Sequence, residues 1–130
     1  MLTLQHTLLI QNKALELAIK QGVNIAIAIT DTHGELMTFL RMDDVSLHAC
    51  VLAKNKAYTA ARDRQTTKSL ARWAQETGKD LSYWTDPRIT GIAGGVPIIV
   101  AGKVMGAIGI SGLAEDDDET LAYAALEVIS

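Results

Sequence analysis

Three histidines are the side chains of this chain best suited to hold a metal, since a neutral imidazole binds haem iron and divalent cations. His33 lies in the predicted turn Asp31–Gly34, where we expect solvent around it. His6 lies in the first turn of the first predicted helix. On the second predicted helix, His48 shares a sector with Leu52, Asn55 and Thr59. That sector faces solvent, another subunit or a ligand. His48 and His6 are therefore the candidate haem ligands, although lone surface histidines usually bind nothing.

The other reactive groups lack the neighbours that catalysis requires. Cys50 lies in a stripe of alanines, where a buried thiol behaves as a small apolar residue rather than as a thiolate. Ser111 is not in the nucleophile elbow of a hydrolase, and no zinc-ligand spacing occurs. The acidic run 115–119 fits the start of a helix better than a cation site. The catalytic residues, if any exist, are therefore unknown, and haem iron is the only metal proposed.

Two sets of glycines suggest a nucleotide site but do not have its spacing. Neither set forms G-x-G-x-x-G between a strand and a helix, and the P-loop motif is absent from the sequence. We therefore expect these glycines at bulges and at close approaches of the backbone. The sets are Gly91, Gly94 and Gly95, then Gly102, Gly106, Gly109 and Gly112.

The composition is typical of one globular domain, predicted over residues 1–130. The formal net charge is −3 and the basic residues are scattered, which argues against a nucleic-acid partner. No apolar run approaches the length of a membrane span, and we identify no signal peptide. The single cysteine cannot form an internal disulfide, which favours a reducing compartment and predicts a cytoplasmic location.

The residue pattern predicts an α+β fold. Apolar periodicity and capping residues indicate helices over 3–21, 46–64, 67–77 and 115–129. Alternating patterns indicate strands over 23–30, 35–42, 96–100 and 103–111, with 89–94 as a candidate fifth strand. Small residues gather on two strands and on the second helix, which allows either tight helix–sheet packing or a flat ligand, and packing is favoured. On the strands these are Ala26, Ala28, Ala107 and Gly109.

The first helix is apolar on two sides, which predicts a second neighbour beyond its own domain. One stripe contains Leu4, Leu8, Leu15 and Ala18. A second stripe contains Ile10, Ala14 and Leu17, and we expect it to remain exposed in a monomer. The chain is therefore predicted to form a homo-oligomer, a dimer or larger, through that second stripe.

Five segments stand together in the order and spacing of a known family. They are Arg41–Asp43, Lys56–Ala60, Gly94–Pro97, Gly106–Gly112 and Asp118. Over nearly the whole chain this set resembles the family of GlcG, HbpS and the C-terminal domain of the adenosyltransferase PduO. The resemblance implies a profilin-like or PAS-like fold with about five antiparallel strands. It also implies homo-oligomers.

The resemblance further implies haem or another tetrapyrrole as the ligand, because several members bind haem and the family is labelled haem-degrading. Other members accompany glycolate, glycerol or diol utilisation. The alternative is therefore a non-catalytic accessory or sensor subunit that binds a small carboxylate or diol. An ion pair between Lys56 and Asp43 of the shared motifs is a further hypothesis.

Overall fold

The structure, a computed structural model, describes residues 1–129. Apart from the candidate fifth strand, the predicted order of helices and strands is confirmed. It runs α1 (Leu4–Gln21), β1 (Ala26–Thr30), β2 (Leu36–Arg41), α2 (Leu47–Asp63), α3 (Thr67–Thr77), β3 (Gly95–Val100), β4 (Lys103–Ser111) and α4 (Glu115–Leu126). Short 3-10 helices occupy Leu81–Trp84 and Glu127–Ile129. Within the described chain, no helix has both the length and the apolarity needed to cross a membrane.

The strands form one antiparallel sheet in the order β2-β1-β4-β3. The prediction of a fifth strand over 89–94 is wrong, because the backbone N–H groups of Thr90 and Ala93 donate to side chains of helices instead of to a neighbouring strand. The Thr59 hydroxyl on α2 accepts the N–H of Thr90 at 3.1 Å and donates to the carbonyl of Arg88 at 3.3 Å. Residues 88–90 are therefore held against α2.

Local signals at the ends of the helices work as expected. The side chain of Thr3 caps α1 by accepting the N–H of His6, and Ser46 caps α2 in the same way. Gly22 ends α1 in the left-handed conformation with φ 70°, which glycine adopts without steric cost. These contacts span three or four residues, so the sequence alone places them.

Helices cover both faces of the sheet. One face carries bulky side chains and the other carries small ones. The bulky face packs against α1 and α4 and contains Ile25, Ile27, Ile29, Ile98, Ile108 and Ile110. The opposite face presents Ala26 and Ala28 to Cys50, Ala53 and Ala57 of α2. A side chain at Gly109 would overlap the carbonyl oxygen of Ala53. The small residues therefore serve close packing between α2 and the sheet, and the alternative of a flat ligand between them is wrong.

Helix α1 turns a different face inward from the one predicted. Ile10, Ala14 and Ala18 are fully buried in the protein's own core, beside the partly buried Leu17. The exposed side instead carries Leu4 and Ile19, with 58% and 64% of their surface exposed. The predicted assembly stripe is therefore wrong, because α1 packs against both α4 and the sheet and needs that stripe for its own core.

Candidate functional site

The three histidines lie on three separate elements. His6 is exposed in the first turn of α1, and His33 is exposed in the β1–β2 turn, where Asp31 accepts its backbone N–H at 2.8 Å. His48 is exposed in the first turn of α2. Among residues 1–129, no three His, Cys, Asp or Glu side chains gather into a metal site. Any metal held by these histidines must therefore arrive with its own ligands, as haem iron does.

The outer face of α2 is divided into a covered half and an open half. Thr59 was predicted on the open sector, but it is buried because residues 88–90 bond to its hydroxyl. The N-terminal half carries His48 and two exposed apolar neighbours, Leu47 at 72% and Val51 at 47% exposure. Leu52, one turn after His48, is half-buried. The open half therefore combines an exposed imidazole with exposed apolar side chains.

These side chains fit the chemistry of haem. A porphyrin presents a wide apolar ring whose iron accepts an axial imidazole. His48 can supply the imidazole, while Leu47 and Val51 can contact the ring. His6 has one exposed apolar neighbour on the following turn, Leu9 at 46% exposure. His48 therefore fits the group better than His6 does.

A second group of polar side chains lies where α2 meets the loop before β3. Arg88 Nη2 donates to the hydroxyl of Tyr58 at 2.8 Å, and its guanidinium carbon lies 3.8 Å from the centre of the Tyr58 ring. The Tyr58 hydroxyl donates to the carboxylate of Asp86. Sequence reasoning missed this group, because the loop residues are 28 and 30 positions from Tyr58.

The charge states of this group follow from those contacts. Burial raises the pKa of Tyr58, and its hydrogen bond to Asp86 raises that pKa further. The same hydrogen bond lowers the pKa of Asp86, and the backbone N–H of Arg88 adds to that effect. At neutral pH the tyrosine is therefore protonated and the aspartate is ionised, and together they hold Arg88 in place.

A cleft of about 240 Å³ opens beside Tyr58 and Arg88. Lys54 and Asn55 of α2 line it, together with Glu35 from the β1–β2 hairpin. Lys54 provides positive charge, and Arg88 adds donors although it is paired with Asp86 at 3.6 Å. Asn55 provides both a donor and an acceptor, and Glu35 provides an acceptor. This mixture suits a small carboxylate that also carries a hydroxyl group.

Lys56 and Asp118 form an ion pair in the interior that the sequence did not reveal. Lys56 Nζ donates to Asp118 Oδ2 at 3.1 Å and to the carbonyl of Ile110 at 2.8 Å. The other carboxylate oxygen of Asp118 accepts the N–H of Leu113 at 3.1 Å. The hypothesis of a pair between Lys56 and Asp43 is wrong, because Lys56 points inward toward α4.

The shared glycine motifs surround this ion pair. A side chain at Gly94 would come within 2.7 Å of Lys56 Nζ, and one at Gly95 would overlap the carbonyl of Lys56. This confirms the prediction that these glycines permit close backbone approach. Asp118 belonged to the acidic run that was explained as helix-start acids, and its burial among these groups gives it a structural role as well.

Comparisons with known proteins agree with this architecture. The model of the family described as haem degrading protein HbpS-like matches residues 2–127. An uncharacterised 15.0 kDa protein from the dhaT–dhaS intergenic region of Citrobacter freundii is 35% identical over 123 residues, which cover 93% of this chain and 84% of that protein. Protein GlcG of Escherichia coli K12 is 36% identical over 96 residues, which cover 74% of this chain and 70% of GlcG.

A solved structure extends the similarity to the fold as a whole. The crystal structure of a PduOC:heme complex superposes with a TM-score of 0.86 at 28% identity, covering 94% of this chain and 90% of that one. The matched family model spans every α-helix and strand and all five shared segments. The chain therefore belongs to the HbpS-like family, which also contains relatives of GlcG and PduO.

Proposed function

We propose that this protein binds haem or a related tetrapyrrole on the open half of the outer face of α2, with His48 as the iron ligand. The observation that carries the proposal is the exposed imidazole of His48 beside the exposed side chains of Leu47 and Val51. The similarity to a structure solved as a haem complex supports the choice of ligand. His6 is the second candidate ligand.

The proposal includes a homo-oligomer, because a ring lying on an open helix face would leave its other side in water. Covering that side with a second copy of the chain would bury further apolar surface, at roughly 25 cal/mol for each Å². The exposed leucine and isoleucine side chains of α1 offer another surface for association. Haem binding and assembly are therefore expected to influence each other.

Titration of the purified protein with hemin tests the proposal. We expect a saturable shift of the Soret band in the unmodified protein and in His33→Ala, which is a matched control in an exposed turn. We expect His48→Ala to remove the shift that ligation by nitrogen produces. If His6→Ala loses the shift and His48→Ala retains it, the ligand assignment is wrong. If no variant differs from an unrelated control protein, haem binding itself is rejected.

Haem degradation is a separate extension of this proposal, since the described residues supply no assigned catalytic group. It would appear as a loss of the Soret band over time when the haem complex is mixed with a reductant in air. A spectrum that stays constant under these conditions would reject haem degradation and would be consistent with haem binding alone.

A second candidate function is an accessory or sensor subunit that binds a small carboxylate or diol. The cleft beside Tyr58 favours it, because Lys54, Arg88 and Glu35 offer both cations and an acceptor in about 240 Å³. Isothermal titration with glycolate and with 1,2-propanediol would measure this binding. Binding that Lys54→Gln weakens and His48→Ala leaves unchanged would support this function independently of haem.

The remaining assignments also belong to this proposal. A cytoplasmic location rests on Cys50, the only cysteine of the sequence, which is buried as a free thiol. The profilin-like or PAS-like classification rests on the central antiparallel sheet with helices on both faces. Domain boundaries at 1 and 130 remain a prediction.

A further inference from the structure

A cleft of about 510 Å³ lies at one end of the sheet, where three reversals of the chain meet. Thr32 enters it from the β1–β2 turn, and Arg64 from the end of α2. Lys103 enters it from the β3–β4 turn, beside Gly102. The whole length of α2 separates this cleft from His48, which lies in the first turn of that helix. Its volume is within the range typical of small-molecule sites.

The two cationic side chains of this cleft have no partner within the part of the chain that the structure describes. Neither Arg64 nor Lys103 forms an ion pair or donates a side-chain hydrogen bond within residues 1–129. Arg62 and His33 line the adjoining cleft, which shares Thr32 and Arg64 with the first. None of the residues that line either cleft is acidic, although the chain carries a net charge of −3. Positive charge is therefore concentrated here and available to a ligand.

The backbone around the cleft is held in an unusual conformation. Arg64 ends α2 with φ 57°, in the left-handed region where glycine is the usual residue. Ala101, in the β3–β4 turn next to Lys103, has φ 51°. Residues other than glycine that adopt the left-handed backbone conformation are strained, and such residues are concentrated at functional sites. At Arg64 this conformation brings a guanidinium to the position where α2 would otherwise end on glycine.

We propose that this cleft binds a small organic phosphate monoester. Two unpaired cations match the double negative charge of a phosphate monoester at neutral pH better than the single charge of a carboxylate. The planar guanidinium of Arg64 suits two phosphate oxygens, Lys103 acts as a point charge, and the hydroxyl of Thr32 is a further donor. The partly exposed Val104 provides the apolar contact for the organic group. This site does not depend on the proposed haem function.

Isothermal titration at constant ionic strength tests the proposal with three probes: phenyl phosphate, inorganic phosphate and succinate. We expect saturable binding of phenyl phosphate, weaker binding of the other two, and a loss of about tenfold or more in affinity for both Arg64→Gln and Lys103→Gln. Arg72→Gln is the matched control, because Arg72 is exposed on α3 away from the cleft and should leave affinity unchanged.

Several results would overturn this site. Phenyl phosphate that fails to saturate would reject it, and so would an equal loss of affinity in Arg72→Gln. Succinate binding more tightly than phenyl phosphate would reject the phosphate class, and equal affinity for inorganic phosphate would reject the role of the organic group. Arg64 and Lys103 are exposed, so both variants should keep the unfolding midpoint of the unmodified protein, which a urea titration checks.

Discussion

Lys56 of α2 and Asp118 of α4 form an ion pair of 3.1 Å whose side chains are 1% and 2% exposed. The two helices lie on opposite faces of the sheet, so this contact connects layers that the sheet would otherwise separate. Two buried charges are costly to desolvate, but each side chain here also has a backbone partner. The pair therefore fixes how α2, β4 and the start of α4 fit together.

Removing one member of this pair should destabilise the protein strongly. We expect Asp118→Asn to lower the free energy of unfolding by about 3–5 kcal/mol, because it leaves the buried ammonium of Lys56 without a counter-charge. Urea denaturation measures the change. Asp116→Asn is the matched control, since Asp116 pairs with Lys68 at 3.0 Å but its side chain is 72% exposed. Asp116→Asn should lower the free energy of unfolding by about 0–1 kcal/mol. An equal loss in both variants would contradict the prediction.

The loss in the free energy of unfolding that Asp118→Asn causes should become smaller as the pH rises. Burial lowers the pKa of Lys56 below its ordinary value of 10.5, while Asp118 opposes that shift. Without Asp118 the pKa of Lys56 falls further. Between that lowered value and 10.5, the unfolded variant binds a proton that the folded variant does not. The free energy of unfolding of Asp118→Asn therefore rises with pH through this window.

The measurement is a urea titration of both proteins near neutral pH and at about pH 9.5. The difference between the unmodified protein and Asp118→Asn should be smaller at the higher pH. A difference that stays constant would show that Lys56 keeps its charge in the variant, and would reject desolvation as the main cause of the lowered pKa.

The sequence predicted those features that depend on neighbouring residues. The helix bounds 3–21 and 46–64 could be predicted because the contacts that Thr3, Gly22 and Ser46 make at the helix ends lie within four residues of each. The Lys56–Asp118 pair was not found, because its members are 62 positions apart and each has a more ordinary explanation in its own helix. The group around Tyr58 escaped prediction for the same reason. Contacts between distant segments depend on the path of the loops, which a single sequence does not specify.

The error on α1 has a related cause. Leucine, isoleucine and alanine occur on most sides of this helix, so periodicity leaves more than one candidate for the buried face. In the structure, the buried face of α1 carries Thr7, Ile10, Ala14 and Ala18. A threonine is accepted there because its hydroxyl donates to the carbonyl of Thr3 at 2.9 Å. Hydrophobicity alone would not select a face that contains a threonine.

Replacing Gly109 by alanine should be costly. The added methyl group would overlap the carbonyl of Ala53 and crowd the backbone nitrogen of Ala57 at 2.6 Å, so α2 would have to move away from the sheet. We expect a loss of about 1–3 kcal/mol or more in the free energy of unfolding. Gly22→Ala is the comparison, since nothing lies within 4 Å of its added carbon and only the positive φ opposes it. A smaller loss in Gly109→Ala than in Gly22→Ala, measured by thermal denaturation, would contradict this account of α2 packing.

Substitutions on the two sides of α1 should separate assembly from folding. Leu4→Lys combined with Ile19→Lys places charge on side chains that are 58% and 64% exposed, so we expect a smaller assembly with an unchanged secondary structure. Ile10→Asp should instead unfold the protein, because Ile10 is fully buried and burying such a side chain is worth roughly 1.5–3 kcal/mol. Sedimentation at matched concentrations and circular dichroism report the two properties separately.

If the double variant stays fully assembled, this face of α1 is not the interface. The next surface to substitute would be Ile99 and Val100, which are exposed on the edge strand β3. A monomer at high concentration in the unmodified protein would reject the homo-oligomer itself.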